Sequence, residues 1–170
     1  IPIVMVTVGD PQGSGLIESL AHPGSNLTGL SMMTRELSTK RLELLKETIP
    51  TLKRVGVMWD PSVPWHASAV DDQKSVAPAL GIMLTPVRVQ RAEELEAAFS
   101  VLRQAHVQAL SVLDNAFYFN LRANLIQRAA RAKLPVMCFD KGLVADGGLL
   151  SYSVDVPDLW RRSARYVDQI

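Results

Sequence analysis

The sequence predicts an α/β fold built on a doubly wound parallel sheet, and three observations carry that prediction. Short runs rich in Val, Leu and Met begin near Val55, Met83, Ala109 and Val136; each is too short for a helix and reads as a buried strand. Stretches with helical spacing lie between them, at 67–80, 93–105 and 121–132. Strands that alternate with helices require crossovers, and crossovers put helices on both faces of a parallel sheet. Finally, an aspartate closes each of four strands, at Asp10, Asp60, Asp114 and Asp140. In an open α/β sheet, ligands bind beyond the carboxyl ends of the strands.

The elements follow in order. Residues 3–8 form a first strand, 9–15 a glycine-rich turn, and 16–20 begin a helix or helical turn. A turn cluster at 22–26 leads into a short extended piece at 27–31. The next helix runs to about Thr48, with Leu42, Leu45 and Ile49 on one face and Pro50 as its stop. The strand from Arg54 breaks at Asp60-Pro61 and Pro64, residues that end a strand and fix a loop. The helix at 93–105 has the clearest pattern, because Leu95, Ala98, Phe99 and Leu102 fall at i, i+3, i+4 and i+7. Residues 149–154 are a further strand. Asp155 caps the last helix, with Pro157 in its first turn.

With 170 residues the chain can bury one full core, or parts of two lobes. A net charge of +1 supplies no basic field for nucleic acid and no acidic tail. The single Cys138 excludes a disulfide within the chain and a thiolate-clustered zinc site. No run approaches the roughly 18 apolar residues of a membrane span, and no signal peptide is visible. The chain opens almost directly in a strand, at Ile1, and reaches Ile170 still in helical spacing through Trp160, Ala164 and Val167. These ends predict a fragment of a longer chain.

The four aspartates suit hydrogen bonding to an amine or to hydroxyls. Each taken alone also fits a turn or a helix N-cap, and a Mg²⁺ site of the receiver type would require them to converge. Six of the ten aromatic residues fall in the same loops: Trp59, Trp65, Phe117, Tyr118, Phe119 and Phe139. Half are expected to cover the sheet ends and half to wall a ligand with a flat or apolar body. The turn at 9–16 can aim backbone N–H groups and Ser14 at a carboxylate, or can be purely structural. It is not a dinucleotide fingerprint or a P-loop. His22, His66 and His106 are scattered and match no hydrolase or metalloprotease motif. Cys138 reads as a small buried hydrophobe, and Arg161, Arg162 and Arg165 as a solvated helix face. The pattern is that of a binding cleft without catalysis.

Several strings carry a further resemblance. They are Gly-Asp-Pro-Gln-Gly-Ser-Gly-Leu at 9–16, Asn-Leu-Thr-Gly-Leu-Ser at 26–31, Lys-Arg-Leu-Glu-Leu-Leu-Lys-Glu at 40–47 and the stretch 54–64. Later come Leu-Pro-Val at 134–136, Ala-Asp-Gly-Gly-Leu-Leu-Ser-Tyr at 145–152 and the run 161–170. In this order they resemble the ABC transporter substrate-binding protein family that includes tryptophan/tyrosine-binding lipoproteins. The resemblance implies a type I periplasmic-binding-protein fold, with two flavodoxin-like lobes joined by a hinge. Residues 1–28 would end lobe one, 29–147 would form most of the second lobe, and 148–170 would return to lobe one.

The same resemblance implies a small-molecule solute held between lobes by Asp10 and Ser14 from the first and by Trp59, Asp60, Asp114, Asn115, Phe139 and Asp140 from the second. At Trp59-Asp60 the sequence departs from the smaller or amide residue that many relatives carry before the proline. Carboxylate capture, amine capture and aromatic stacking together would select an amino acid, with no cofactor, no metal and no catalysis. An ABC permease would be the partner, at a periplasmic or lipid-anchored extracytoplasmic location, and the open sheet edge of a fragment could pair with a second copy as a homodimer. The alternatives are the effector domain of a transcription regulator on the same fold and an α/β enzyme using Cys138.

Overall fold

A computed structural model describes residues 1–169. Its elements are β1 (Ile3–Val8), β2 (Leu27–Ser31), α1 (Thr34–Thr48), β3 (Arg54–Trp59), α2 (His66–Val76), β4 (Met83–Arg88), α3 (Glu94–Gln104), β5 (Ala109–Val112), α4 (Ala116–Asn120), α5 (Arg122–Arg131), β6 (Val136–Cys138), α6 (Lys141–Ala145), β7 (Leu150–Ser151) and α7 (Val156–Asp168). They divide into two compact units, residues 1–35 with 154–170, and residues 36–153.

In the first unit β1 and β2 pair in parallel and α7 packs on both. Gly29 stands opposite Met5 at φ +130°, where a Cβ would run into the Met5 backbone, so the close strand approach requires glycine there. Asp155 caps α7 by accepting the Asp158 N–H at 3.0 Å, as its sequence position predicts. The helix or helical turn expected to begin at 16–20 does not form. Gly15 at φ +70° breaks the backbone, and the Glu18 and Ser19 amides bond forward to the carbonyls of Pro23 and His22. Six residues between Gly15 and the 22–26 turn are too few to repay helix nucleation.

The second unit holds a five-stranded, wholly parallel sheet in the order β4-β3-β5-β6-β7. Strand faces alternate as the pleat demands. Val55, Val57, Ala109 and Met137 meet α1 and α2, while Met58, Leu110, Val112, Val136 and Cys138 meet α3 and α5. Both faces are therefore covered, and the runs read as continuously apolar for that reason. Gly56 lies under Leu102 of α3, and a Cβ there would meet the end of that side chain, so a larger residue would require Leu102 to shift.

Two boundaries differ from the sequence reading. Helix α2 stops at Val76 rather than residue 80, because Pro78 has no N–H to donate and 77–81 tightens into turns ending at Gly81, φ +66°. Strand β7 is two residues long, not six. The Tyr152 carbonyl that would continue a ladder instead accepts from the Arg41 side chain at 2.7 Å.

Candidate functional site

The strand order reverses between β3 and β5: the chain moves from β3 outward to β4, then back across to β5 and on to β7. At such a switch point the two following loops diverge and leave a crevice beyond the carboxyl ends of the strands. Asp60 and Asp114 stand there, one after each strand.

Asp60 is 5% exposed and heavily engaged. Its Oδ1 accepts from the Ser62 amide at 2.8 Å and the Ser62 hydroxyl at 2.6 Å, and its Oδ2 accepts from Asn115 Nδ2 at 2.8 Å. Burial alone would raise this carboxyl, but the Ser62 and Asn115 donors outweigh it and hold Asp60 below the usual carboxylate range. Asn115 in turn caps α4, its Oδ1 accepting the Phe117 N–H at 2.8 Å. One amide thus ties the two loops together and starts a helix.

His66 supplies a second crossbar. Its ring is fully buried, its Nδ1 accepts the Asp60 backbone N–H at 2.9 Å, and its Nε2 lies 3.0 Å from the Asp114 carbonyl. A nitrogen that accepts cannot carry the proton, so the proton sits on Nε2 and is donated to Asp114. Burial pushes the imidazole below its ordinary value and keeps it neutral. The Trp65 ring meets it edge-on at 4.3 Å.

Asp114 faces a buried cation. Arg41 of α1 is 1% exposed and sets two guanidinium nitrogens against the two Asp114 oxygens, Nη2 to Oδ2 at 3.2 Å. Burial pushes the Asp114 carboxyl up, and the Arg41 charge opposes it. Arg41 Nε donates to the Tyr152 carbonyl, so one arginine joins α1, the loop after β5 and the segment after β7.

The other predicted residues are placed as follows. Trp59 is half-buried with Arg88 over its ring at 5.3 Å, and its indole N–H is buried with no acceptor. Phe139 is 8% exposed and packed in the α3/α5 core, while Asp140 caps α6 by accepting the Gly142 N–H at 2.6 Å. Of the other loop aromatics, Trp65 and Tyr118 are buried, Tyr118 donating to the Val89 carbonyl at 2.7 Å; Phe117 is half-buried and Phe119 exposed. Cys138 is fully buried and its thiol is pushed up to about 12, so it is not an available nucleophile at neutral pH.

Asp10 and Ser14 belong to the first unit. Asp10 is buried and accepts the Gly13 N–H at 2.7 Å. The amides of Ser14, Gly15 and Leu16 are all taken by carbonyls of residues 10–12, and no helix follows. The turn therefore has no row of free N–H groups for an anion, and what Ser14 offers is its hydroxyl. Among the described residues no three His, Cys, Asp or Glu side chains gather as a metal site.

Arg41 and His66 have no role in the sequence pattern. Arg41 sits on the apolar stripe of α1, between Ser38 and Leu45, and a cation on a buried stripe is the signal that marks it.

Comparison with known proteins identifies the family and the fold. A family model described as ABC transporter substrate binding protein matches residues 1–170. A curated relative named tyrosine-binding protein, from Clostridioides difficile, is 28% identical over 159 residues, covering 94% of this chain and 45% of the relative. The chain thus spans just under half the length of that relative. Among solved structures, a conserved domain protein from Vibrio cholerae superposes with a TM-score of 0.87 at 27% identity, over 99% of this chain and 56% of that one. An ABC domain from Streptococcus pneumoniae in complex with L-Trp gives a TM-score of 0.88 at 24% identity, with the same coverage. The type I periplasmic-binding-protein fold is shared with both.

Proposed function

Because the chain belongs to the ABC transporter substrate-binding protein family, we propose that it binds a small amphipathic solute, an amino acid with an aromatic side chain, at the β3/β5 switch point. The observation that carries this reading is the bonded lattice of Asp60, Asn115, His66, Asp114 and Arg41 at that edge. Such a lattice holds two loops in one geometry before any ligand arrives, which reduces the ordering cost of binding. Trp59 then supplies the contact surface. Its half-buried ring, which carries Arg88 at 5.3 Å, is the flat surface that suits an aromatic side chain. The curated relative's name, tyrosine-binding protein, supports the ligand class.

In this reading the whole protein delivers its solute to a membrane permease from an extracytoplasmic position, and no bond is made or broken. Binding does its work by favouring one conformation over another.

A thermal-shift screen of the full-length protein against the amino acids and other small solutes tests the reading. A ligand at 100 times its Kd stabilises by about 2.7 kcal/mol, which is a shift of several degrees. Tyrosine, tryptophan or phenylalanine should give it, and Trp59→Ala should weaken binding at least about tenfold. If all three fail while another solute class shifts the melting point, the ligand assignment is wrong. If they bind equally well in Trp59→Ala, the site assignment is wrong.

A further inference from the structure

Helices α2, α3, α5 and α6 of the second unit end in the same hydrogen-bonded motif. The amide one residue past a left-handed position bonds five residues back: Ile82 to Ala77, Val107 to Leu102, Leu134 to Ala129 and Gly148 to Leu143. The left-handed position normally takes glycine, which adopts positive φ without strain. Two of the four obey, with Gly81 at φ +66° and Gly147 at +116°. The other two hold His106 at +52° and Lys133 at +56°. Both of these line one cleft of about 600 Å³ between the ends of α3 and α5.

The cleft is cationic. Glu96 is the acid that lines it, and Arg128 already neutralises it in an ion pair. Arg103, Arg131 and Lys133 also line it, exposed and without side-chain partners among the described residues. Cations near helix carboxyl ends are favoured by the helix dipole. That alone does not account for two strained non-glycine caps meeting at one cavity, when the two remaining caps of the unit keep glycine. The floor is apolar, with Phe99 and Val107 6% and 8% exposed. The volume is that of a small-molecule site.

We propose that this cleft binds a small anion carrying two or more negative groups, carboxylate or phosphate, held by Arg103, Arg131 and Lys133 with His106 at its rim. It lies at the amino ends of β5 and β6, the edge opposite the solute site, and does not depend on the transport reading.

Calorimetric titration of the full-length protein at low salt, with citrate in one arm and inorganic pyrophosphate in the other, tests it and separates carboxylate from phosphate preference. Saturable one-to-one binding is expected in at least one arm, weakening as salt rises. Lys133→Gly relieves the backbone strain, so it should melt no lower than the parent yet bind about tenfold more weakly. Arg131→Ala should weaken binding similarly, and Lys74→Ala, on α2, should leave it unchanged. Absence of saturable binding in both arms, or equal affinity in parent and Lys133→Gly, would overturn the proposal.

Discussion

Arg41 stands where the spacing of α1 asks for a leucine, and its position decides much about the site. A guanidinium at 1% exposure is tolerable only because Asp114 and the Tyr152 carbonyl take up its donors. Removing one member of a buried pair leaves the other charged and unpaired. Arg41→Met should therefore cost about 3–5 kcal/mol in urea unfolding. The double variant Arg41→Met, Asp114→Leu should recover most of that loss, since apolar residues can replace a buried pair at little cost. A single variant within about 1 kcal/mol of the parent would mean that the pair does not hold these segments together. None of this was legible in the sequence. The aspartate at 114 was recognisable from its place after a strand, but its partner lies 73 residues away, and nothing local links the two.

The loop after β3 shows how much of an element the local sequence encodes. Its Asp60-Pro61 ending is readable as a strand stop, because that role depends on neighbours within three residues. The cap that Asn115 makes on α4 is equally local, yet the sequence pattern marks Asn115 only as a ligand contact. The His66 crossbar is not readable, because its bond to Asp114 joins residues 48 apart and depends on the strand order. That crossbar has a pH signature. The unfolded chain carries a histidine of ordinary pKa near 6.5, whereas burial lowers the folded value. Below that unfolded pKa the unfolded state binds more protons than the native one, so stability falls with pH until the folded value is passed. Denaturation midpoints should therefore drop between pH 7.5 and 5.5, a window above the titration of carboxylates at their ordinary values. Asp114, pushed up by burial, acts with the opposite sign, so the drop is read as the difference between the parent and a His66 variant. His66→Gln cannot titrate and should lose this slope. A slope retained in the variant would place its origin elsewhere.

Alternating strands and helices foretold a parallel sheet with covered faces, and the strand starts near 55, 83, 109 and 136 fall within one residue of those observed. Alternation says nothing of which strands neighbour each other. The order β4-β3-β5-β6-β7 is set by which apolar faces pack together once the chain is collapsed. It is this order that makes Asp60 and Asp114 neighbours. The division into a discontinuous first unit and a continuous second one has a testable consequence. The two-stranded sheet of the first unit is covered by α7 through Leu159 and Ser163, and two strands alone are marginal in water. The five-stranded sheet of the second unit has helices on both faces drawn from its own segment. Truncation after Ser153 should then abolish amide protection in β1 and β2. Amides of β3, β5 and β6 should stay within about 1 kcal/mol of their parent protection in hydrogen exchange. Uniform loss of protection across both sheets would show instead that the two units fold as one cooperative body, and the solute site would then depend on α7 as much as on the loops that form it.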